Sequence, residues 1–226
     1  MALCGDRGAT RMSPSSTTQP KRERDAERTR AEILEVATRE FADHGFDGAR
    51  VDEIAARTRT TKRMIYYYFT SKEQLYREVL KQAYAKIRAV EQQLDIDHSD
   101  PKAAIRRLGE LTFDHHESHP DFIRLVSIEN IARAEHMAKF TSFSELNSPA
   151  TAVIAKILEK GYADGVFTRT IDPIDLHMMI SAFCVFRVAN RYTFRTIFDR
   201  DLTDDALRER YRQMLGDMVV GYLTSS

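Results

Sequence analysis

The stretch VDEIAARTRTTKRMIYYYFTSK, residues 51–72, predicts two short helices separated by a tight turn. Val51–Arg57 is amphipathic, a few turn residues follow, and a second helix begins near Thr61. At about 100° per residue with Ile65 at zero, Phe69 and Tyr68 fall on the inward side, towards Ile54. Lys62, Tyr66, Arg63 and Tyr67 follow one another over an arc from about 60° to about 200°. Two helices joined in this way, the second showing cations and phenols outward, form a helix-turn-helix that suits a DNA major groove. The motif spans about residues 49–68.

Charge is distributed to match. The whole chain is neutral, with 34 Lys+Arg against 34 Asp+Glu. Residues 57–77 are not: Arg57, Arg59, Lys62, Arg63, Lys72 and Arg77 face Glu73 alone. One concentrated cationic patch on a neutral protein is a localised footprint for phosphates. Tyrosines interleaved with the cations distinguish this face from an ordinary solvated basic helix.

Outward from this motif, 226 residues suffice for one sizeable core or for a small domain joined to a larger one. Apolar residues make up 42% and charged residues 30%, as in soluble globular chains. Only 9 Gly and 6 Pro, with few alternating β-branched runs, argue for an all-α fold. Cys4 and Cys184 lie too far apart to suggest a disulfide framework, which points to a reducing cytoplasm. No stretch approaches the roughly 20 apolar residues of a membrane span. The start, MALCGDRGATRMSPSSTTQPKRER, lacks the apolar run of a signal peptide. The expectation is a cytoplasmic protein with no membrane partner.

Residues 1–25 are Ser/Thr/Pro/Gly-rich and then basic, the composition of a disordered arm. Such an arm reaches along DNA beside the head or is a plain leader. A first helix is expected from about Ala26 to His44, with Gly45 as its left-handed stop. Ser71-Lys72-Glu73-Gln74 has the form of a capping box and opens a long helix to about Leu94. After an acidic loop at 95–100, Asp100-Pro101 and Pro120 start two helices, and another covers about 131–146. Ser148-Pro149 and Asp172-Pro173 start helices at about 149–164 and 173–198, since proline suits the first helical position. A last helix covers about 204–223. The expected architecture is ten helices: a three-helix head within 26–86, a long fourth helix joining it to the rest, and a helical bundle within 87–226.

Residues 26–86 resemble the TetR/AcrR family of bacterial transcriptional regulators. The resemblance is carried by ILEVATREFADHGFDGARVDEIA, by Tyr66-Tyr67-Tyr68-Phe69, and by Ser71-Lys72-Glu73-Gln74-Leu75, in that order and spacing. It implies a homodimer whose N-terminal heads each read half of a palindromic operator in double-stranded DNA. It also implies a C-terminal bundle, here 87–226, that dimerises and binds a small-molecule effector. By position, Lys72 and Tyr66 match the family's phosphate-contacting lysine and tyrosine, and Lys62, Arg63 and Tyr67 its base-facing positions. Two departures stand out. The turn is Thr58-Arg59-Thr60-Thr61 where the family has Ala-Gly-Val-Ser, which would put Arg59 in a left-handed conformation at a cost of about 1 kcal/mol. Ala49-Arg50 replaces the threonine that caps the second helix, which leaves Arg50 as the phosphate contact there.

For the bundle, residues 176–188, LHMMISAFCVFRV, are apolar nearly all round, more than a surface helix needs. Together with Val153, Ile154, Ile157 and Leu158 they suggest half of a two-fold four-helix interface, presenting Val153, Ile157, Met179, Phe183, Phe186, Arg187 and Asn190; burial within one subunit is the alternative. Arg187 and Asn190, one turn apart, would bind an acidic ligand or pair across the dimer. An effector pocket is expected from Phe113, Phe122, Val126, Met137, Phe140 and Phe143, with His116, Glu129 and Asn130 as polar groups, taking an aromatic or acidic molecule. Plain core is the competing reading of those aromatics. His115 and His119 have helical metal-ligand spacing, but Pro120 and the lack of a second ligand cluster argue against a metal. No cofactor and no catalytic residues are expected, since nucleophile–base pairs and phosphate loops are missing.

The reading is a ligand-released repressor that binds DNA as a homodimer. An activator or an effector-independent DNA-binding protein is the alternative, and a helical enzyme a distant one.

Overall fold

A computed structural model describes residues 19–92, 100–139 and 143–225, with side chains over 23–92, 100–138 and 151–225. The described residues form ten α-helices and no strand. They are α1 (Gln19–Gly48), α2 (Val51–Ala56), α3 (Lys62–Phe69), α4 (Lys72–Glu91), α5 (Pro101–Ser118), α6 (Pro120–Ile131), α7 (Phe143–Ala163), α8 (Pro173–Ala189), α9 (Arg191–Phe198) and α10 (Asp205–Thr224). The all-α class and the small head followed by a larger bundle are as the sequence predicts.

Several boundaries differ, each for a local reason. Helix α1 starts at Gln19, so residues 19–25 of the expected arm are helical. Pro20 sits in the first turn, where a missing N–H is harmless, and no breaker follows before Gly45. The rest of the arm, 1–18, lies outside the described residues, as does the acidic loop at 95–99. Gly45 interrupts α1 where the stop is expected: its φ 69 and ψ 179 are non-helical and kink the chain before a last short turn at 46–48, in a backbone region open essentially to glycine alone.

The helix expected at 131–146 is absent over 132–136, where Arg133 and Ala134 take φ 55 and 57. Glu129 explains this: its carboxylate accepts from Met137 N at 3.2 Å and meets His136 Nδ1 at 3.0 Å, and its carbonyl accepts from Ala134 N at 2.7 Å. These bonds compete with continuation of the helix. A single 3-10 turn follows at Met137–Lys139, and α7 starts at Phe143, not at 149. The expected 173–198 helix breaks at Asn190, whose φ −99 and ψ 5 redirect the chain into α9.

Two apolar clusters hold the molecule together. The first joins the head to α6: Ile33, Phe41, Ile54, Ile65, Phe69 and Tyr76 share one core with Ile123 and Leu125. The second lies among α5, α7, α8 and α10, around Ile105, Leu108, Ile157, Leu176, Cys184 and Val219. Each such fully buried side chain contributes about 1.5–3 kcal/mol. Ion pairs fix α10 against α5, with Arg208 reaching Asp114 and Glu117, and Arg212 reaching Glu110 and Asp114.

Candidate nucleic-acid interface

The helix-turn-helix is built on one buried carboxylate that the sequence did not advertise. Glu40 of α1 accepts from Arg50 N, just before α2, at 3.1 Å. Its other oxygen lies 3.3 Å from the Arg57 guanidinium, just after α2. Arg50 has no side-chain cap to offer, so Glu40 supplies the anion that a helix N-terminus favours. Glu40 was legible only as an interior position of the first helix.

Helix α3 begins at Thr61, whose Oγ1 accepts from Met64 N at 3.3 Å. Ile65 and Phe69 are buried, while Lys62, Arg63, Tyr66 and Tyr67 are exposed, Tyr67 by 75%. The arc anticipated from the sequence is therefore the free face of the helix. Lys62 Nζ donates to Asp52 at 2.9 Å, and this hydrogen bond raises its pKa above the ordinary lysine value.

The strain expected at Arg59 is not there. Positive φ outside glycine occurs, among the described residues, at Thr70, Arg133, Ala134 and Asp199. The turn avoids the left-handed region, and Arg59 N donates to Glu32 at 3.3 Å. The compensating sharp corner is Thr70 (φ 58), between α3 and α4.

Helix α4 starts with half of the expected capping box. Ser71 Oγ accepts from Gln74 N at 3.0 Å, but Gln74 Nε2 turns to Glu78 at 3.3 Å instead of reaching back. Lys72 Nζ donates to Asp47 O at 3.3 Å and stands 4.9 Å from the centre of the Phe46 ring. Arg50, at the start of α2, is exposed. Arg50, Lys62, Arg63, Tyr66, Tyr67 and Lys72 thus belong to one head.

The described residues expected to line an effector pocket are divided between the two cores and the surface. Phe113 belongs to the second core, with the Arg187 guanidinium 3.9 Å from its ring centre. His116 is buried with Nδ1 2.8 Å from Thr112 O, and burial lowers its pKa to about 4. Phe122 packs edge-on to Tyr84, His115 and His116. Val126 and Met137 pack on the head's core, and Glu129 is occupied by its own hydrogen bonds. Asn130 faces solvent, its amide donating to Val126 O at 2.9 Å. The Phe140 and Phe143 side chains lie outside the described residues. The reason is that α6 turns its apolar face to α1, so that its residues become core of the head.

Two residues expected at a dimer face are interior. Ile157 is fully buried inside the chain. Arg187 is 3% exposed and donates to Leu202 O at 2.9 and 3.1 Å and to Glu117 at 2.8 Å. Val153, Met179 and Phe183 are half-buried against their own core, and Asn190 ends α8. Helix α8 is nonetheless apolar on two sides. Leu176, Ile180 and Cys184 face inward, while Ile174, Met178 and Phe186 stay exposed. Exposed Met214 and Met218 of α10 and Tyr192, Ile197 and Phe198 of α9 add to the uncovered apolar side chains. The sequence predicts α10 as a helix at about 204–223 but not its uncovered methionines, because arginines interrupt its apolar pattern.

His115 and His119 stack at 4.3 Å between ring centres. Among the described residues, no three His, Cys, Asp or Glu side chains are grouped to hold a metal. No helix among them is long and apolar enough to cross a membrane.

Comparison with known proteins places this geometry. Residues 33–79 match the family described as "Bacterial regulatory proteins, tetR family", and residues 101–219 match "Tetracyclin repressor-like, C-terminal domain". The chain is similar to the HTH-type transcriptional repressor NicS of Pseudomonas putida, 33% identical over 199 residues, covering 88% of this chain and 94% of that one. It is also similar to the HTH-type transcriptional repressor SCO4008 of Streptomyces coelicolor, 33% identical over 165 residues, or 73% of this chain and 81% of that one. Among solved structures, the putative transcriptional regulator SCO4942 from Streptomyces coelicolor superposes with a TM-score of 0.63 at 26% identity, covering 86% and 97% of the two chains. The ketosteroid transcriptional regulator KstR2 of Mycobacterium tuberculosis shares the fold, with a TM-score of 0.65 at 21% identity over 87% and 95% of the chains.

Proposed function

The chain belongs to the TetR family of bacterial regulatory proteins, and on that footing we propose a repressor that binds a palindromic operator as a homodimer and is released by a small-molecule effector. The observation that carries this is the free face of α3: Lys62, Arg63, Tyr66 and Tyr67 point to solvent while Ile65 and Phe69 anchor the helix. Lys62 and Arg63 have the reach for guanine O6 and N7, each good pairing giving about 1–3 kcal/mol of discrimination. Lys72, Tyr66 and Arg50 position the head on phosphates. To enter the groove, Lys62 exchanges Asp52 for DNA, so that bond is a small cost of binding.

The homodimer is supported by the uncovered apolar residues of α8 and α10. A second copy related by a two-fold axis would cover Ile174, Met178, Phe186, Met214 and Met218 and set two heads on half-sites about 34–36 Å apart. The effector needs only to favour a placement of α4 that spoils this spacing. Curated relatives named as repressors support that sign of regulation. DNase protection of the region upstream of the protein's own gene, by the purified protein, tests the reading: two symmetric half-sites are expected, and no protection at low salt refutes it.

A further inference from the structure

A cleft of about 410 Å³ lies where the head's α1 and α4 meet the corner between α5 and α6. That size falls within the range of small-molecule sites. His115 lines it and is 5% exposed, yet neither of its ring nitrogens has a hydrogen-bond partner. A buried polar group without a partner costs about 1–3 kcal/mol, which an occupant able to accept from the ring N–H would recover. Burial and the neighbouring His119 lower the His115 pKa to about 3, so the ring is a neutral donor–acceptor and not a cation.

The other lining groups narrow the occupant. Helix α4 contributes Gln82 and Lys86, one turn apart on one face. Among the described residues Lys86 pairs with no carboxylate, whereas Arg39, across the cleft, is already paired with Glu35. Asp121 sits in the first turn of α6, where free N–H groups compensate its charge. Ala31, Ala83 and Phe122 supply apolar wall.

We propose that this cleft binds a small carboxylic acid with an apolar body, its carboxylate between Lys86 and His115 and its body against Ala83 and Phe122. This inference rests on the effector-released repressor reading and names the place and chemical class of the effector. The site joins α4, which carries the head, to the α5–α6 corner. An occupant therefore acts on the placement of α4 directly, without entering the second core.

Isothermal titration of the full chain with benzoate and with cyclohexanecarboxylate tests this, alongside DNA-binding measurements on the same samples. Saturable binding is expected, weakened about tenfold or more in Lys86→Ala. The same loss is expected in Ala31→Trp, which plugs the cleft from the exposed face of α1. His115→Phe should also lose binding; if it does not fold, the two surface variants still decide. Binding that survives both surface substitutions, or no saturable binding of either acid, overturns the assignment while leaving a DNA-binding repressor intact. Failure of the unliganded protein to bind any duplex refutes the repressor reading instead, and is separable because titration needs no DNA.

Discussion

The Tyr76 hydroxyl, on the helix that carries the head, donates to Glu129 Oε1 on α6 at 2.8 Å, with both side chains buried. Burial and the Glu129 bond push the Tyr76 phenol pKa far above its ordinary value, so it remains a donor at any physiological pH. Glu129 also meets His136 Nδ1 and Met137 N, and the His136 ring packs 4.3 Å from Phe46, beneath Lys72. A continuous set of contacts therefore runs from a proposed phosphate contact to α6.

Removing either end of that hydrogen bond should have unequal costs. Tyr76→Phe leaves Glu129 with two other partners and is expected to cost about 1–2 kcal/mol. Glu129→Ala strands the Tyr76 hydroxyl, His136 and Met137 N together and should cost about 3–5 kcal/mol. Urea unfolding of the two variants checks the order; equal losses would mean that Glu129 is not the hub.

On DNA, two substitutions should separate positioning from readout. Lys72→Ala is expected to weaken specific and nonspecific duplexes alike and to reduce the salt slope by about one. Arg63→Ala should instead relax the choice at one or two base pairs, by about 1–3 kcal/mol each. Titrations at several salt concentrations, against operator and scrambled duplexes, check both. A Lys72→Ala protein with unchanged affinity would remove it from the phosphate contacts.

The head was legible because its signals are local. Helical periodicity put Ile65 and Phe69 inside and Lys62, Arg63, Tyr66 and Tyr67 outside, and the burial follows that order. Glu40 and Glu129 were not legible in these roles, because each acts on backbone and side chains beyond its own helix. The structure places Ile157 and Arg187, both expected at a dimer face, inside the chain, for one shared reason. Periodicity says that a residue faces an apolar neighbour, but not whether that neighbour is the same chain. The exposed side of α8 shows the limit most clearly, since Met178 and Cys184 look alike in sequence and only Cys184 is buried.

Acid should destabilise the bundle earlier than its carboxylates alone would. Burial lowers His115 to about 3 and His116 to about 4, against about 6.5 in the unfolded chain. Between those values the unfolded state binds protons that the folded state refuses. The stability these rings provide is complete above about pH 6.5 and is lost as pH falls towards 4. The two together should withdraw about 2–4 kcal/mol between pH 7 and pH 5. Unfolding titrations of wild type and His116→Gln at both pH values check this, with about half the pH dependence expected to vanish in the variant.

The last contrast separates a partner-facing residue from a core one within the same bundle. Met178 is 61% exposed on the outer side of α8, and Ile157 is fully buried between α7 and its neighbours. Placing a charge at Met178 would leave it unpaired against apolar groups of a second copy, so Met178→Asp should shift the assembly to monomer with little loss of monomer stability. Ile157→Ala removes buried methyl groups and leaves a cavity, which costs about 2–5 kcal/mol and should leave the monomer–dimer ratio of the folded fraction unchanged. Sedimentation velocity and urea unfolding on both variants read the two effects independently. Because paired heads are needed to span two half-sites, Met178→Asp should also lose operator affinity while keeping nonspecific DNA binding per head. Full operator affinity in a protein shown to be monomeric would mean that the uncovered face of α8 serves another purpose.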